Sequence, residues 1–234
     1  MIAPSVVSDT PERLAQAFAR RFERAAAIAI RARGRFACAV PGGSVASTFF
    51  PALVGADVDW SRVDVFWVDE RAVPPSDAAS NFGMASRLWL RHVPVDAARV
   101  HRMRGELPDL DEAARTYAID LTGTLGAPPR LDLALLGVGA DGHVASVFPG
   151  RPEVPEPEGF VAAVHDAPKP PSERLTLTMA TLMAVRSICI AAFEREKWDV
   201  LRPALQSPDS GSSIPVARLI AAHPDVTVMF GGAV

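Results

Sequence analysis

The sequence predicts an α/β layered fold with a mostly parallel sheet, and three observations carry that expectation. Short apolar runs recur along the whole chain and read as buried strands. Segments with helical spacing and capping residues separate them, so strands alternate with helices, the pattern of a parallel sheet. Nearly half of the 234 residues are hydrophobic (49%), enough for a chain of this length to bury a sizeable core. No internal repeat or low-complexity tract stands out, so residues 1–234 are expected to form a single domain.

Taken in order, the first element is a helix from about Pro11 to Arg33. Asp9 or Thr10 can cap it, Pro11 suits its first position, and Glu12 favours the positive end of the dipole. Leu14, Phe18 and Phe22 form its apolar stripe, and Gly34 ends it. Phe36 to Val40 reads as a buried strand, followed by Pro41-Gly42-Gly43-Ser44 and a helix beginning near Val45. Val63 to Val68 is the next strand, ending in Asp69-Glu70-Arg71; Ser80-Asn81 caps a helix carrying Leu88, Trp89 and Leu90. A capped helix spans Asp109 to about Leu125.

Leu131 to Leu136 is a short apolar run that reads as a strand. Gly137, Gly139 and Gly142 then punctuate a tight loop ending at His143, and Val144 to Phe148 reads as a short helical turn stopped by Pro149-Gly150. Arg151 to Gly159 reads as a surface loop and Phe160 to Val164 as a strand. Ala167 to Ser172 is proline-dense, with Lys169 exposed, and Arg174 opens the alternating run to Thr178. A helix from about Met179 to Val185, a strand from Ser187 to Phe193 and a helix opened by Glu194-Arg195-Glu196-Lys197 follow. Pro215 to Ala222 is a short helix and Val226 to Phe230 a final strand.

On a parallel sheet the ligand crevice lies at the carboxyl ends of the strands. That topology brings together Gly42 to Ser44, Asp69 to Arg71 and Asp141 to His143. Successive backbone N–H groups at a helix start make an anion site, to which Ser44 can add a hydroxyl, although Gly-Gly-Ser alone is also an ordinary turn. Asp69 can handle a proton or orient a donor, and Arg71 can grip a carboxylate or phosphate; the commoner fate of such a triplet is a solvated turn with internal salt bridges. His143 is a candidate base, weighed against a merely hydrogen-bonded histidine. Lys197 in the first turns of a helix opposes the dipole, which points mildly to a role beyond local stability, although a single exposed Lys is usually just solvated.

Composition narrows the classes. A formal net charge of −3 with no polybasic block argues against a nucleic-acid partner. Cys38 and Cys189 sit in apolar runs and are expected to be buried, reduced thiols, without a disulfide or zinc site. The N-terminus lacks a secretory pattern and no apolar stretch approaches the roughly 20 residues of a membrane span, so a cytoplasmic protein without membrane contact is expected. Gly137-Val138-Gly139-Ala140-Asp141-Gly142 has no acidic residue about 20 positions on placed at a second strand end, as a dinucleotide fingerprint requires. No G-x-S-x-G elbow of a serine hydrolase occurs.

The chain resembles the 6-phosphogluconolactonase family, of the superfamily that also contains glucosamine-6-phosphate deaminase. The matching blocks are Pro41-Gly42-Gly43-Ser44, Trp67-Val68-Asp69-Glu70-Arg71 with Ser80-Asn81, and the long run from Leu135 to Pro149. A weaker block runs from Pro171 to Leu177, with Lys197 beyond it. The resemblance implies a Rossmann-like sheet with helices on both faces, and hydrolysis of 6-phosphoglucono-δ-lactone to 6-phosphogluconate in the oxidative pentose phosphate pathway, with no metal or organic cofactor. By motif, His143 would be the general base and Asp69 would assist. Arg71, Arg174 and Lys197 would hold the substrate's phosphate with Gly42, Gly43 and Ser44, and Asp141 joins the substrate-binding set. The implied partner is a small sugar-phosphate lactone, and the implied assembly a monomer or small homo-oligomer.

Three departures stand against that pattern: Pro41 where the family often has Ser, Glu194-Arg195-Glu196 before Lys197, and no acidic residue in Phe230-Gly231-Gly232-Ala233. A deaminase on the same scaffold would carry Asn-Glu-Pro after the histidine turn, where this chain has Ser146-Val147-Phe148-Pro149. A non-enzymatic sugar-phosphate sensor would keep the anion site, but no DNA-binding helix-turn-helix is attached.

Overall fold

Five strands that are buried at every position dictate the architecture, because side chains alternate between the two faces of a sheet and both faces must then be covered. The computed structural model describes residues 4–150 and 159–232. The principal sheet holds β1 (Ser5–Ser8), β2 (Phe36–Val40), β3 (Val63–Trp67), β5 (Leu133–Gly137), β8 (Ile188–Ala192) and β9 (Val226–Phe230) in the order β1-β9-β8-β5-β2-β3. Every pairing in it is parallel.

Helices α1 (Pro11–Arg33), α2 (Gly43–Leu53) and α3 (Asn81–Leu88) pack as one group, and α5 (Met179–Ala184), α6 (Arg195–Gln206) and α7 (Pro215–Ala222) as another. The remaining helix, α4 (Leu110–Leu125), packs on a second, smaller sheet. The start of α1 follows its sequence: the Thr10 hydroxyl accepts from the Arg13 N–H, and Gly34, in the left-handed region at φ 76°, returns its N–H to the Ile30 carbonyl at 2.8 Å. Its stripe buries Leu14, Phe18 and Phe22 to 1% exposure or less. Phe22 meets Phe36 edge-on at 5.0 Å between ring centroids, and Trp60 and Trp89 at 5.9 Å. Cys38 and Cys189 are free and buried; burial pushes the Cys189 thiol up to about 12 and raises Cys38 as well.

Three elements differ from the sequence-based expectation. The triplet Asp69–Arg71 is neither a turn nor solvated: it is β4, the edge of a separate antiparallel sheet in the order β4-β7-β6, with β7 (Arg174–Leu177) and β6 (Val161–Val164). Val68, between β3 and β4, ties the two sheets, its N–H donating to Val40 of the large sheet and its carbonyl accepting from Leu177 of the small one. The run from Val144 to Phe148 forms no helix. Val144 bridges both Val138 and Val147, Ala145 takes φ 51°, and the buried β-branched side chains of Val144 and Val147 suit that extended pairing. Strand β1 was not expected, because its four residues are exposed and carry no alternation; pairing with β9 alone orders it. The loop expected from Arg151 to Gly159 lies, apart from Gly159, outside the described residues. No described helix is long and apolar enough to cross a membrane.

Candidate active site

The strand order reverses between β2 and β5: β3 lies outward of β2, while β8, β9 and β1 continue outward from β5. Such a reversal opens a crevice beyond the carboxyl ends of the two strands. A cavity of about 530 Å³ occupies it. Its lining brings together all nine residues singled out in the sequence: Gly42, Gly43 and Ser44 after β2, Asp69 and Arg71 on β4, Asp141 and His143 after β5, Arg174 on β7 and Lys197 on α6. A larger cavity, about 710 Å³, lies beside α3 and α4 around His101 and Tyr117 and contains none of them. The chemistry follows the side chains rather than the volume.

His143 is held by its own loop. Its Nδ1 lies 2.6 Å from Asp141 Oδ1, and the same oxygen accepts the His143 backbone N–H at 3.2 Å. Burial works against the Asp141 charge, but the hydrogen bond and charge of His143 outweigh it, so the carboxyl lies below its ordinary range. An ionised carboxylate only accepts, so the hydrogen in that contact belongs to Nδ1 and a neutral ring keeps its lone pair on Nε2. The imidazole packs on Phe148 at 4.8 Å and its side chain remains 20% exposed at the cavity wall. Gly139 makes room for it. A Cβ there would fall 2.1 Å from His143 Nδ1 and 2.5 Å from Asp141 Oδ1.

The start of α2 lines the same cavity. Gly42 is its N-cap with no side-chain bond, and no acidic residue occupies the first turn. The amides there lack intrahelical acceptors, so the positive end of the helix meets the cavity uncompensated. Pro41 supplies no N–H, yet the amides from Gly42 onward are unaffected. Gly42 is obligatory for another reason: a Cβ there would lie 1.7 Å from Asn81 Oδ1.

Behind these turns lies a buried polar network. Asp69, 6% exposed, accepts from Ser146 Oγ at 2.9 Å on one oxygen and from Asn81 Nδ2 at 3.2 Å on the other. Ser146 is placed by its backbone N–H on Thr176 Oγ1 at 3.1 Å. Glu70 takes the N–H groups of Asn81 and Phe82 at 2.7 and 2.8 Å and the Ser80 hydroxyl, fixing the start of α3. Burial raises the Glu70 carboxyl above its ordinary value, and its hydrogen bonds offset only part of that. Sequence reasoning left Asn81 as a cap, put Ser146 in a helical turn and gave Thr176 no role. Nothing local marks them, since their partners come from other strands.

The cations are differently committed. Arg174 is 6% exposed and donates to the Pro171 and Lys169 carbonyls at 3.0 and 2.8 Å, holding the proline-dense loop over the cavity. Burial lowers its pKa, with Asp69 acting in opposition. Arg71 gives Nη1 to the Ala79 carbonyl at 2.9 Å, while its buried Nε has no partner among the described residues. Lys197 pairs with Glu194 at 2.8 Å and is 21% exposed. Burial works against the Glu194 charge, yet the bond and charge of Lys197 leave that carboxyl below its ordinary value. Asp141, expected among the substrate-binding groups, has one oxygen engaged by His143 instead.

The family described as glucosamine-6-phosphate isomerases/6-phosphogluconolactonase matches residues 9–229, a span that includes every residue lining the catalytic cavity. The chain belongs to this family. A 6-phosphogluconolactonase of Streptomyces coelicolor is 36% identical over 234 aligned positions, covering 88% of this chain and 89% of that protein. The human 6-phosphogluconolactonase is 35% identical over 231, covering 94% and 88%. The crystal structure of a 6-phosphogluconolactonase from Shewanella baltica superimposes with a TM-score of 0.82 at 27% identity, covering 97% of each chain. Membership of the glucosamine-6-phosphate isomerase/6-phosphogluconolactonase family accounts for the parallel sheet with its reversal between β2 and β5.

Proposed function

We propose that the chain is a 6-phosphogluconolactonase, hydrolysing 6-phosphoglucono-δ-lactone to 6-phosphogluconate in the oxidative pentose phosphate pathway. One observation carries the reading: a carboxylate-held imidazole lines the same cavity as a helix start and cations fit for a phosphate. A lactone is an activated ester, and a base near neutrality suffices to open it with water. His143 Nε2 takes a proton from water as the oxygen attacks the lactone carbonyl carbon. The imidazolium is steadied by Asp141, and the carbonyl becomes a tetrahedral oxyanion. Collapse breaks the bond to the ring oxygen, which receives the proton back from His143 and leaves as a hydroxyl.

The Gly42 to Ser44 turn, Arg71 and Lys197 bind the phosphate in this reading, with Arg174 shaping the wall, and that distal grip fixes the carbonyl over the imidazole. Asp141 becomes a positioning residue rather than a substrate ligand, and Asp69 organises Ser146 and Asn81 beneath the turns. The deaminase alternative lacks its acid: Ser146 is turned to Asp69, Val147 is buried, and Phe148 lies against His143. The proposal extends to residues 1–234 acting as one domain in the cytoplasm, without a cofactor, as a monomer or small homo-oligomer.

The test is turnover of freshly generated lactone, corrected for spontaneous opening, by wild type and His143→Ala. The variant is expected to lose about 10²–10⁴-fold in kcat while binding 6-phosphogluconate as tightly as wild type. Unchanged turnover would remove His143 from the mechanism, and ammonia release from glucosamine 6-phosphate would favour the deaminase.

A further inference from the structure

At the opposite edge of the sheet, the amino ends of β2, β5 and β8 carry a charged cluster that this reaction does not use. Asp132, just before β5, is 7% exposed, and its Oδ2 accepts the Ala37 N–H at 2.9 Å. Its Oδ1 meets Arg33 Nη2 at 2.6 Å and Arg186 Nε at 3.3 Å. Arg35 donates to the Thr124 carbonyl near the end of α4, where a cation suits the helix dipole. Arg130 makes no hydrogen bond or ion pair with a described residue, yet lines the same cavity of about 360 Å³.

Two of these arginines answer a buried carboxylate and a third answers a helix end, but the charges do not balance. Four arginines and a single carboxylate line the cavity, leaving three positive charges around it. The crowding registers on Arg186, whose pKa is lowered by burial and then by the charges of Arg33 and Arg130, with Asp132 offsetting only part. Arg33 presents further N–H donors beyond the one bonded to Asp132, since a guanidinium carries five, and the buried Arg186 Nε has no hydrogen-bond partner among the described residues although it lies within ion-pair distance of Asp132.

We propose that this cavity is a second anion site that takes a phosphate dianion, free or as a phosphomonoester. A dianion with tetrahedral oxygens matches several guanidinium groups around one cavity better than a singly charged carboxylate ligand, which would leave two of the three charges unanswered. The site stands apart from the catalytic cavity: β2 alone, at about 3.3 Å per residue, separates Arg35 from Pro41 by roughly 20 Å. An anion held there bridges the amino ends of the strands whose other ends carry the Gly42 turn, the His143 loop and the Lys197 helix.

The experiment is an amide NMR titration of the whole chain with inorganic phosphate at constant ionic strength, then with glycerol 3-phosphate. Saturable shifts are expected at Ala37, Gly126, Asp132 and Arg186, with affinity falling about tenfold or more in the Arg35→Ala/Arg130→Ala double variant, since each removes a charged hydrogen bond. Amides of Gly42 to Ser44 report the catalytic cavity separately, so failure there does not touch this site, and the reverse holds. Tighter binding of glycerol 3-phosphate supports a phosphomonoester; equal binding supports free phosphate. Arg33 and Arg186 remain on Asp132 in the double variant, and amide dispersion reports whether it folds; Arg130→Glu is a second variant expected to abolish the shifts. No saturable shift in wild type, the same shifts with chloride, or undiminished affinity in both variants would overturn the proposal.

Discussion

Asp141→Asn isolates the contact on which the proposed chemistry depends. The substitution keeps the size of the side chain and removes the charge that Nδ1–H of His143 meets at 2.6 Å. Two losses follow. At that separation the attraction between a carboxylate and the imidazolium formed in the reaction is about 1.6–6 kcal/mol, for an effective dielectric between that of water and that of a protein surface. Asp141 is 47% exposed and His143 20% exposed, so screening holds the value near the lower end, about 1–2 kcal/mol or roughly tenfold in rate. The amide can also turn its NH₂ toward Nδ1, placing the proton on Nε2 and silencing the base, which forfeits part of the ~10²–10⁴ that general-base catalysis contributes. The expected result is a fall of about 10²-fold in kcat with KM nearly unchanged, and ¹⁵N spectra of the imidazole showing a shifted tautomer balance. A kcat within threefold of wild type would refute the positioning role, and a rise in KM alone would return Asp141 to the substrate-binding set. Stability offers a second check. The folded pKa of Asp141 is held below its ordinary 3.8, so its contribution is present above that value and lost as the pH falls through the lower folded one. Urea midpoints of wild type and variant are therefore expected to differ slightly at neutral pH and to converge in acid.

Gly139→Ala puts a methyl group 2.1 Å from His143 Nδ1; turnover is expected to fall by about 10²-fold because an imidazole displaced by an ångström loses its aim, and unchanged kcat would show that the loop gives way. Lys197→Ala removes the charged contact proposed for the phosphate, so kcat/KM is expected to drop roughly 10–100-fold through KM; a fall in kcat with constant KM would place the lysine at the reacting end instead. Phe22→Ala empties a fully buried position among Phe36, Trp60 and Trp89, and denaturant titration is expected to show a loss of about 3–5 kcal/mol. A loss below about 1 kcal/mol would mean that the aromatic cluster closes over the gap.

Much of this protein was legible one segment at a time. The bounds of α1, β2, α7 and β9 follow from capping residues, apolar runs and turn glycines that act within a few positions of themselves. The glycine-punctuated loop and its histidine were equally plain, because close backbone approach leaves glycine no substitute. The triplet Asp69–Arg71 was not. Taken alone it is a polar turn, and only the arrival of Arg174 to Leu177 from a hundred residues away makes it a strand in a second sheet. Ser146 and Thr176 belong to the same case, since each acquires its role from a partner on another strand.

The sequence by itself determined most of the strands and helices of the principal sheet and its flanking layers, and that a histidine loop and a glycine turn would stand at neighbouring strand ends. The tertiary structure alone decided what each polar group is spent on: Asp141 on the imidazole, Asp69 on Ser146 and Asn81, Glu70 on the start of α3, and Asp132 on arginines at the far edge of the sheet. The physical reason is range. Backbone conformation responds to immediate neighbours, whereas a buried hydrogen bond is satisfied by whichever donor the packing of distant strands delivers.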